Sequence, residues 1–269
     1  MNITILANRD LASNLALNHL LPALAATHRV TVYLSDAVGG GASRPRALEQ
    51  LKFFEQTLFN ELLFPLVDAG ANPGELLTFT GLGRFTGKPV DSLNRVNSEE
   101  SLATLRGDAP DLMLSIRYGG ILREDAIAVP PLGVINLHSG LLPQYRGVMA
   151  SFRALLAGED RLGTTVHYIS DPGIDTGEII ATTETPVIPG RSYLWHVLAL
   201  YPAACEKLLA CVAALDRGEE LPSRPQGAGG QYFSFPDEQD LAAFFDRGLA
   251  LVDVNDISDI AKRYTGPDT

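Results

Sequence analysis

The sequence predicts an α/β protein: a mostly parallel, Rossmann-like sheet flanked by helices, followed by a small C-terminal extension. Two observations carry that expectation. Between Asn2 and Leu34 an apolar run, a helical pattern and a second apolar run follow one another. That is a βαβ unit, and it implies parallel strands joined by a right-handed crossover. Further apolar runs at 111–115, 133–137, 164–170 and 178–183 then alternate with helical patterns. The chain has 269 residues, 46% of them hydrophobic and 20% charged, which excludes a disordered or fibrous class.

The elements follow in order. Residues 2–7 read as a buried parallel strand. Asp10 is placed to cap a helix whose Leu17, Leu20, Leu21 and Leu24 recur at helical spacing, and Pro22 should bend or end it. Residues 29–34 form the second strand. Gly39, Gly40 and Gly41 predict a loop, and 46–66 a long helix rich in Leu and Phe. The Gly-rich stretch 69–87 is ambiguous, with one strand expected at 76–79. Ser98 caps a helix over 98–105, and 150–156 reads as another. The apolar positions of 192–215 fit one helix face, but Pro202 inside it predicts a kink or two helices in tandem. The Pro- and Gly-rich stretch 224–230 marks a boundary, followed by a short aromatic run and a helix near 237–247. Two units are expected: a core at 1–190, and a helical segment with a small extension at 191–269.

Composition also limits function. Lys plus Arg number 21 against 32 Asp plus Glu, for a net charge of −11. A broad basic face for nucleic acid is therefore not expected. Cys205 and Cys211 lie in a helical pattern on different faces and read as small core residues in a reducing compartment. The start, Met-Asn-Ile-Thr-Ile-Leu, has no charged leader, and no uninterrupted apolar run approaches a membrane span. A cytoplasmic protein away from the membrane is the expectation.

The first βα turn, Ala7-Asn8-Arg9-Asp10-Leu11-Ala12-Ser13-Asn14, has no glycine, and Asp10 would repel a phosphate. That argues against a nicotinamide-binding turn. The dense segment is 133–147, Gly-Val-Ile-Asn-Leu-His-Ser-Gly-Leu-Leu-Pro-Gln-Tyr-Arg-Gly. Asn136 and His138 alternate at a strand end and share one face, at the sheet edge where ligands of open α/β sheets bind. A buried, hydrogen-bonded histidine would give the same pattern. A second segment, 163–177, carries His167 on a strand and then Asp171 and Asp175 in a tight turn. Turn aspartates are common for local reasons alone.

Together these segments resemble the folate-dependent formyltransferases, a family that includes the glycinamide ribonucleotide, methionyl-tRNA and sugar N-formyltransferases. The resemblance rests on Asn136-Leu-His138, on Leu141-Leu-Pro143 with Tyr145-Arg-Gly147, and on Gly163-Thr-Thr-Val-His167 leading to Ile174-Asp-Thr-Gly177. Upstream, Tyr118-Gly119-Gly120-Ile121-Leu122 looks like the family's folate-binding loop. The resemblance implies 10-formyltetrahydrofolate as formyl donor, no metal, and Asn136, His138 and Asp175 as the catalytic trio. Asn136 would donate to the oxyanion formed when an amine attacks the formyl carbon. His138 would stabilise that oxygen or shuttle a proton, with Asp175 favouring the charged imidazole by Coulomb attraction. His167 would support the trio. The resemblance puts the pterin against main-chain groups of Tyr118, Gly119, Gly120, Ile121 and Leu122, and of the turn with Asp171, Gly173 and Ile174. Two residues depart from the family pattern: Gly140 precedes Leu-Leu-Pro where Ser is usual, and Arg123 stands where Pro is frequent.

The acceptor is expected to be a small-molecule amine, such as an amino-sugar nucleotide. Methionyl-tRNA is disfavoured by the acidic charge and the short stretch after Pro189, and glycinamide ribonucleotide by the glycine-free first turn. A formyltetrahydrofolate hydrolase and a non-catalytic folate-binding module remain as alternatives on the same core. For the aromatics Tyr232, Phe233 and Phe235, three roles stay open: shaping the pocket, a homodimer contact, or core packing.

Overall fold

The computed structural model describes residues 1–36, 44–70, 74–227 and 229–266. The glycine loop expected at Gly39, Gly40 and Gly41 lies outside these. In chain order the first elements are β1 (Asn2–Asn8), α1 (Leu11–Leu24), β2 (Arg29–Ser35) and α2 (Arg46–Lys52). A π-helical segment (Phe53–Leu63) then leads into α3 (Phe64–Ala69), α4 (Phe79–Leu82), β3 (Asp91–Ser92) and α5 (Glu99–Asp108). Next come β4 (Leu112–Ile116), α6 (Glu124–Ile127), β5 (Val134–His138), β6 (Tyr145–Gly147) and α7 (Ala150–Ala157). The last are β7 (Arg161–Ile169), β8 (Ile179–Pro186), α8 (Tyr193–Ala199), α9 (Tyr201–Asp216), β9 (Gln231–Phe233), α10 (Glu238–Asp246) and α11 (Val254–Thr265).

The main sheet has the order β3-β2-β1-β4-β5-β7-β8. Its pairings are parallel from β3 through β5, whereas β7 runs antiparallel to both β5 and β8. The chain leaves β1 toward β2 on one side and returns to β4 on the other. A crevice therefore opens at the carboxyl ends of β1 and β4, where helical connections diverge. Strands β1 and β4 are buried on both faces, as their continuous apolar runs require.

Most local signals act as the sequence predicts. Asp10 caps α1 by accepting from the Ser13 N–H, and α1 ends at Leu24, one helical turn or less beyond Pro22. Leu17, Leu20 and Leu21 of α1 are fully buried, and each such side chain contributes roughly 1.5–3 kcal/mol. Ser98 caps α5 and Ser192 caps α8. The segment around Pro202 forms two helices in tandem, α8 and α9, with the proline in the first turn of α9 where its missing N–H costs nothing.

Two readings are corrected. No strand forms at 76–79: Thr78 instead caps the short α4, because its hydroxyl accepts from Gly81 N–H. Helix α11 escaped the sequence reading, yet its Ile257, Ile260 and Tyr264 are buried against the first unit. The Tyr264 hydroxyl donates to Asn14 Oδ1 in α1. Residues before and after 190 thus share one hydrophobic core. By composition, residues 193–216 are long and apolar enough to cross a membrane. Here their apolar side chains pack in the core, with α9 against α1, β7 and β8. Both cysteines are buried free thiols, and burial pushes Cys205 up to about 12.

Candidate active site

The crevice holds a cavity of about 360 Å³. Its walls include Asn136, His138 and Asp175, the 118–122 loop, the 171–175 turn, and residues from the first turn and the π-helical segment. Every site residue proposed from sequence lines this one cavity. The fold achieves this by pairing β5 with β7, which sets Asn136 opposite His167 and His138 opposite Thr165.

Asp175 is the hub. Its Oδ2 lies 3.5 Å from His138 Nδ1 and accepts the Gly147 N–H at 2.8 Å. Its Oδ1 lies 3.4 Å from His167 Nε2 and 3.5 Å from Asn136 Nδ2. Burial raises the carboxyl, but the two imidazoles and the Gly147 N–H outweigh it and hold Asp175 at about 2. It is a carboxylate at neutral pH.

The ring partners fix the proton positions. His138 Nε2 is 2.7 Å from the Tyr145 carbonyl, which can only accept, so Nε2 carries a proton and Nδ1 faces Asp175. His167 Nδ1 donates to its neighbour's carbonyl at Tyr168 (2.8 Å), leaving Nε2 to accept from the Asn136 amide at 3.0 Å. His167 therefore orients Asn136 rather than reaching the cavity first. Gly140 makes the His138–Tyr145 contact feasible. A Cβ there would sit 2.7 Å from His138 Nε2 and 2.5 Å from the Ala150 Cβ. The serine usual at this position in the family pattern would not fit.

Backbone strain gathers here. Arg117, Met149 and Asp175 have φ near 55° (56°, 54° and 54°), and all three line the cavity. Non-glycine residues avoid that region, and such outliers cluster where surroundings over-determine them. At Asp175 the restraint is Gln226, whose Nε2 donates to the Asp175 carbonyl at 2.8 Å and the Gly177 carbonyl at 2.7 Å. Gln226, within the stretch read from sequence as a boundary, thus ties down the turn that carries Asp175. Beyond that stretch, β9 pairs with β6 and places Tyr232 in the cavity wall, while Phe233 stacks on Tyr145.

The two loops expected to hold the donor both line the cavity. Asn97 shapes the first by donating to the Ile121 carbonyl and accepting from Arg123 N–H. In the second, Asp171 accepts from Gly173 N–H, and any Cβ on Gly173 would meet Asp171 and Thr176 oxygens at about 2.5 Å. Ile121 and Ile174 are exposed apolar residues of the cavity lining. Among the described residues no cluster of His, Cys, Asp or Glu suits a metal ion.

The sequence reading missed Arg117 and Glu55, which also line the cavity. Arg117 Nε donates to Asp10 Oδ2 at 2.9 Å, and its Nη2 lies 3.7 Å from Glu55 Oε1. Asp10 turns inward instead of toward a ligand phosphate. Arg9 is a surface residue paired with Asp36.

A carboxylate–histidine–amide group thus lines a crevice at one edge of an α/β sheet. Residues 85–194 match the family described as formyl transferase. Over 146 residues the chain is 36% identical to a methionyl-tRNA formyltransferase of Thermus thermophilus, covering 54% of this chain and 47% of that protein. Over 157 residues it is 33% identical to that of Bordetella petrii, covering 58% and 46%. The chain spans about half the length of these curated relatives. Among solved structures, glycinamide ribonucleotide transformylase 1 from Symbiobacterium toebii matches with a TM-score of 0.57 at 18% identity, covering 84% of this chain and 94% of that one. A sugar N-formyltransferase from a Shewanella species matches with a TM-score of 0.57 at 17% identity, covering 91% and 79%. At such identities the likeness shows the fold. The names of the sequence relatives leave the expected exclusion of nucleic acid without support.

Proposed function

We propose that this protein is an N-formyltransferase that moves a formyl group from 10-formyltetrahydrofolate to a primary amine of a small metabolite. The convergence of Asn136, His138 and Asp175 on a cavity faced by two main-chain loops carries the reading. The donor supplies an activated formyl carbon. The main-chain groups of 118–122 and 171–175 would hold its ring. Asn136 donates to the formyl oxygen as negative charge builds there, using the N–H that reaches Asp175 only at 3.5 Å. His138 stands ready to stabilise the same oxygen or to shuttle a proton, with its Nδ1 held 3.5 Å from Asp175 Oδ2. To pass a proton to a ligand, Nε2 must give up the Tyr145 carbonyl, so a small ring movement accompanies turnover.

The net charge of −11 favours a small acceptor. The tRNA-borne amine is the second reading, because the curated relatives carry that name. Incubating the protein with 10-formyltetrahydrofolate and an amine panel that includes methionyl-tRNA tests both. Mass spectrometry should find one added formyl group on a small amine. Formyl-methionyl-tRNA would favour the second reading, and formate released without any acceptor would favour a hydrolase.

A further inference from the structure

Besides the trio, the cavity lining carries the buried charged groups Asp10, Glu55 and Arg117. Asp10 is saturated: Oδ2 accepts from Arg117 Nε and Asn8 Nδ2, and Oδ1 from Ser13 N–H. Glu55 is not. Its Oε1 is buried without a hydrogen-bond partner, and Arg117 Nη2 at 3.7 Å is beyond hydrogen-bond reach. The Arg117 guanidinium thus lies beside two carboxyls, and the bond it makes goes to Asp10. Burial pushes Glu55 up to about 7, against the pull of Arg117 and Arg44, and nearby Asp10 adds to the rise. Such a group gains most from a cation brought beside it.

The backbone under Glu55 is also unusual. It lies in the first turn of the π-helical segment Phe53–Leu63. π-Helical residues are well under 1% of structure and tend to occur at functional sites. The other charged or titratable groups around this wall are Arg44, Lys52 and Tyr193, with Asp10 and Arg117 beneath. The Arg44 guanidinium stacks on the Phe235 ring at 4.0 Å, and Lys52 is exposed.

We infer that Glu55 receives a second, protonated amino group of the acceptor, so that the substrate is a diamine or diamino compound. One amine loses its proton and reacts beside His138. The other keeps its proton and completes the Asp10–Arg117–Glu55 cluster. This rests on the transferase reading above, but binding can be measured without turnover.

The experiment is calorimetric titration of the protein at pH 7 with linear α,ω-diamines and with monoamines of matched length. The best diamine should bind at least about tenfold tighter than its monoamine, as expected for one charge-assisted contact. It should also release a fraction of a proton, seen as a heat that varies with buffer ionisation enthalpy. Glu55→Gln should erase both the preference and the proton release. Equal binding of diamine and monoamine overturns the inference, as does a preference that survives in Glu55→Gln. Formyl transfer is read separately by mass spectrometry. Diamine preference without transfer would sink the transferase reading alone, and transfer without diamine preference would sink the subsite alone.

Discussion

Gln226 offers a direct test of how the site is held. It comes from the segment after α9 and donates to the carbonyls of Asp175 and Gly177 at 2.8 and 2.7 Å. Each such bond contributes a net of about 0.5–1.5 kcal/mol, so the pair contributes about 1–3 kcal/mol. The left-handed backbone of Asp175 costs of order 1–3 kcal/mol. The restraint and the strain are therefore of similar size. Gln226→Ala should destabilise the protein by about 1–3 kcal/mol in urea unfolding. The turn should then relax, carrying the carboxylate away from His138, and kcat for formyl transfer should fall about tenfold or more. The rate is to be read well below both unfolding midpoints, so that loss of folded protein does not contribute. Gln226→Glu should be worse than Gln226→Ala, because a carboxylate cannot donate and would face two carbonyl oxygens. A Gln226→Ala protein of unchanged stability and rate would refute this account, as would a Gln226→Glu protein equal to the wild type.

Three further outcomes are expected. His138→Ala should bind the folate donor nearly normally by fluorescence titration, while transfer falls by orders of magnitude; near-normal transfer would remove the role assigned to the ring. Asp175→Asn should lower both activity and stability. Since the folded carboxyl sits at about 2, below its ordinary value, its contribution is fully present above about pH 4 and disappears as pH falls through about 2. The stability gap to wild type in denaturant unfolding should therefore be largest near neutrality and close in acid; a gap that widens in acid would reverse the sign. Gly177→Ala should unfold or badly destabilise the chain, because its Cβ would lie 1.8 Å from the Tyr168 carbonyl oxygen; a Tm within a few degrees of wild type would contradict this packing.

How much could be read in advance depended on how local the cause was. Asp10 and Ser98 as caps follow from one side chain and the N–H three residues on, so they were legible. The order of β1, α1 and β2 followed from periodicity alone. Helix α11 was missed because its apolar face makes sense only once Tyr264 reaches Asn14, some 250 residues earlier. The strand expected at 76–79 lost to a Thr78 cap. The role of Gln226 was hidden in a stretch that looked like a boundary, because Pro and Gly mark turns whatever else the segment contacts.

Strand alternation put Asn136 and His138 on one face and turn preference put Asp175 in a loop, but the roles proposed for them come from the resemblance to formyltransferases, because a buried histidine gives the same spacing. Folding alone could pair Asn136 with His167, bring Gly147 and Gln226 onto Asp175, and turn Asp10 inward onto Arg117. It also left Glu55 in the cavity wall short of a partner. Those relations join residues far apart in the chain. Their energies depend on distance, burial and neighbouring charge, which only the packed structure supplies.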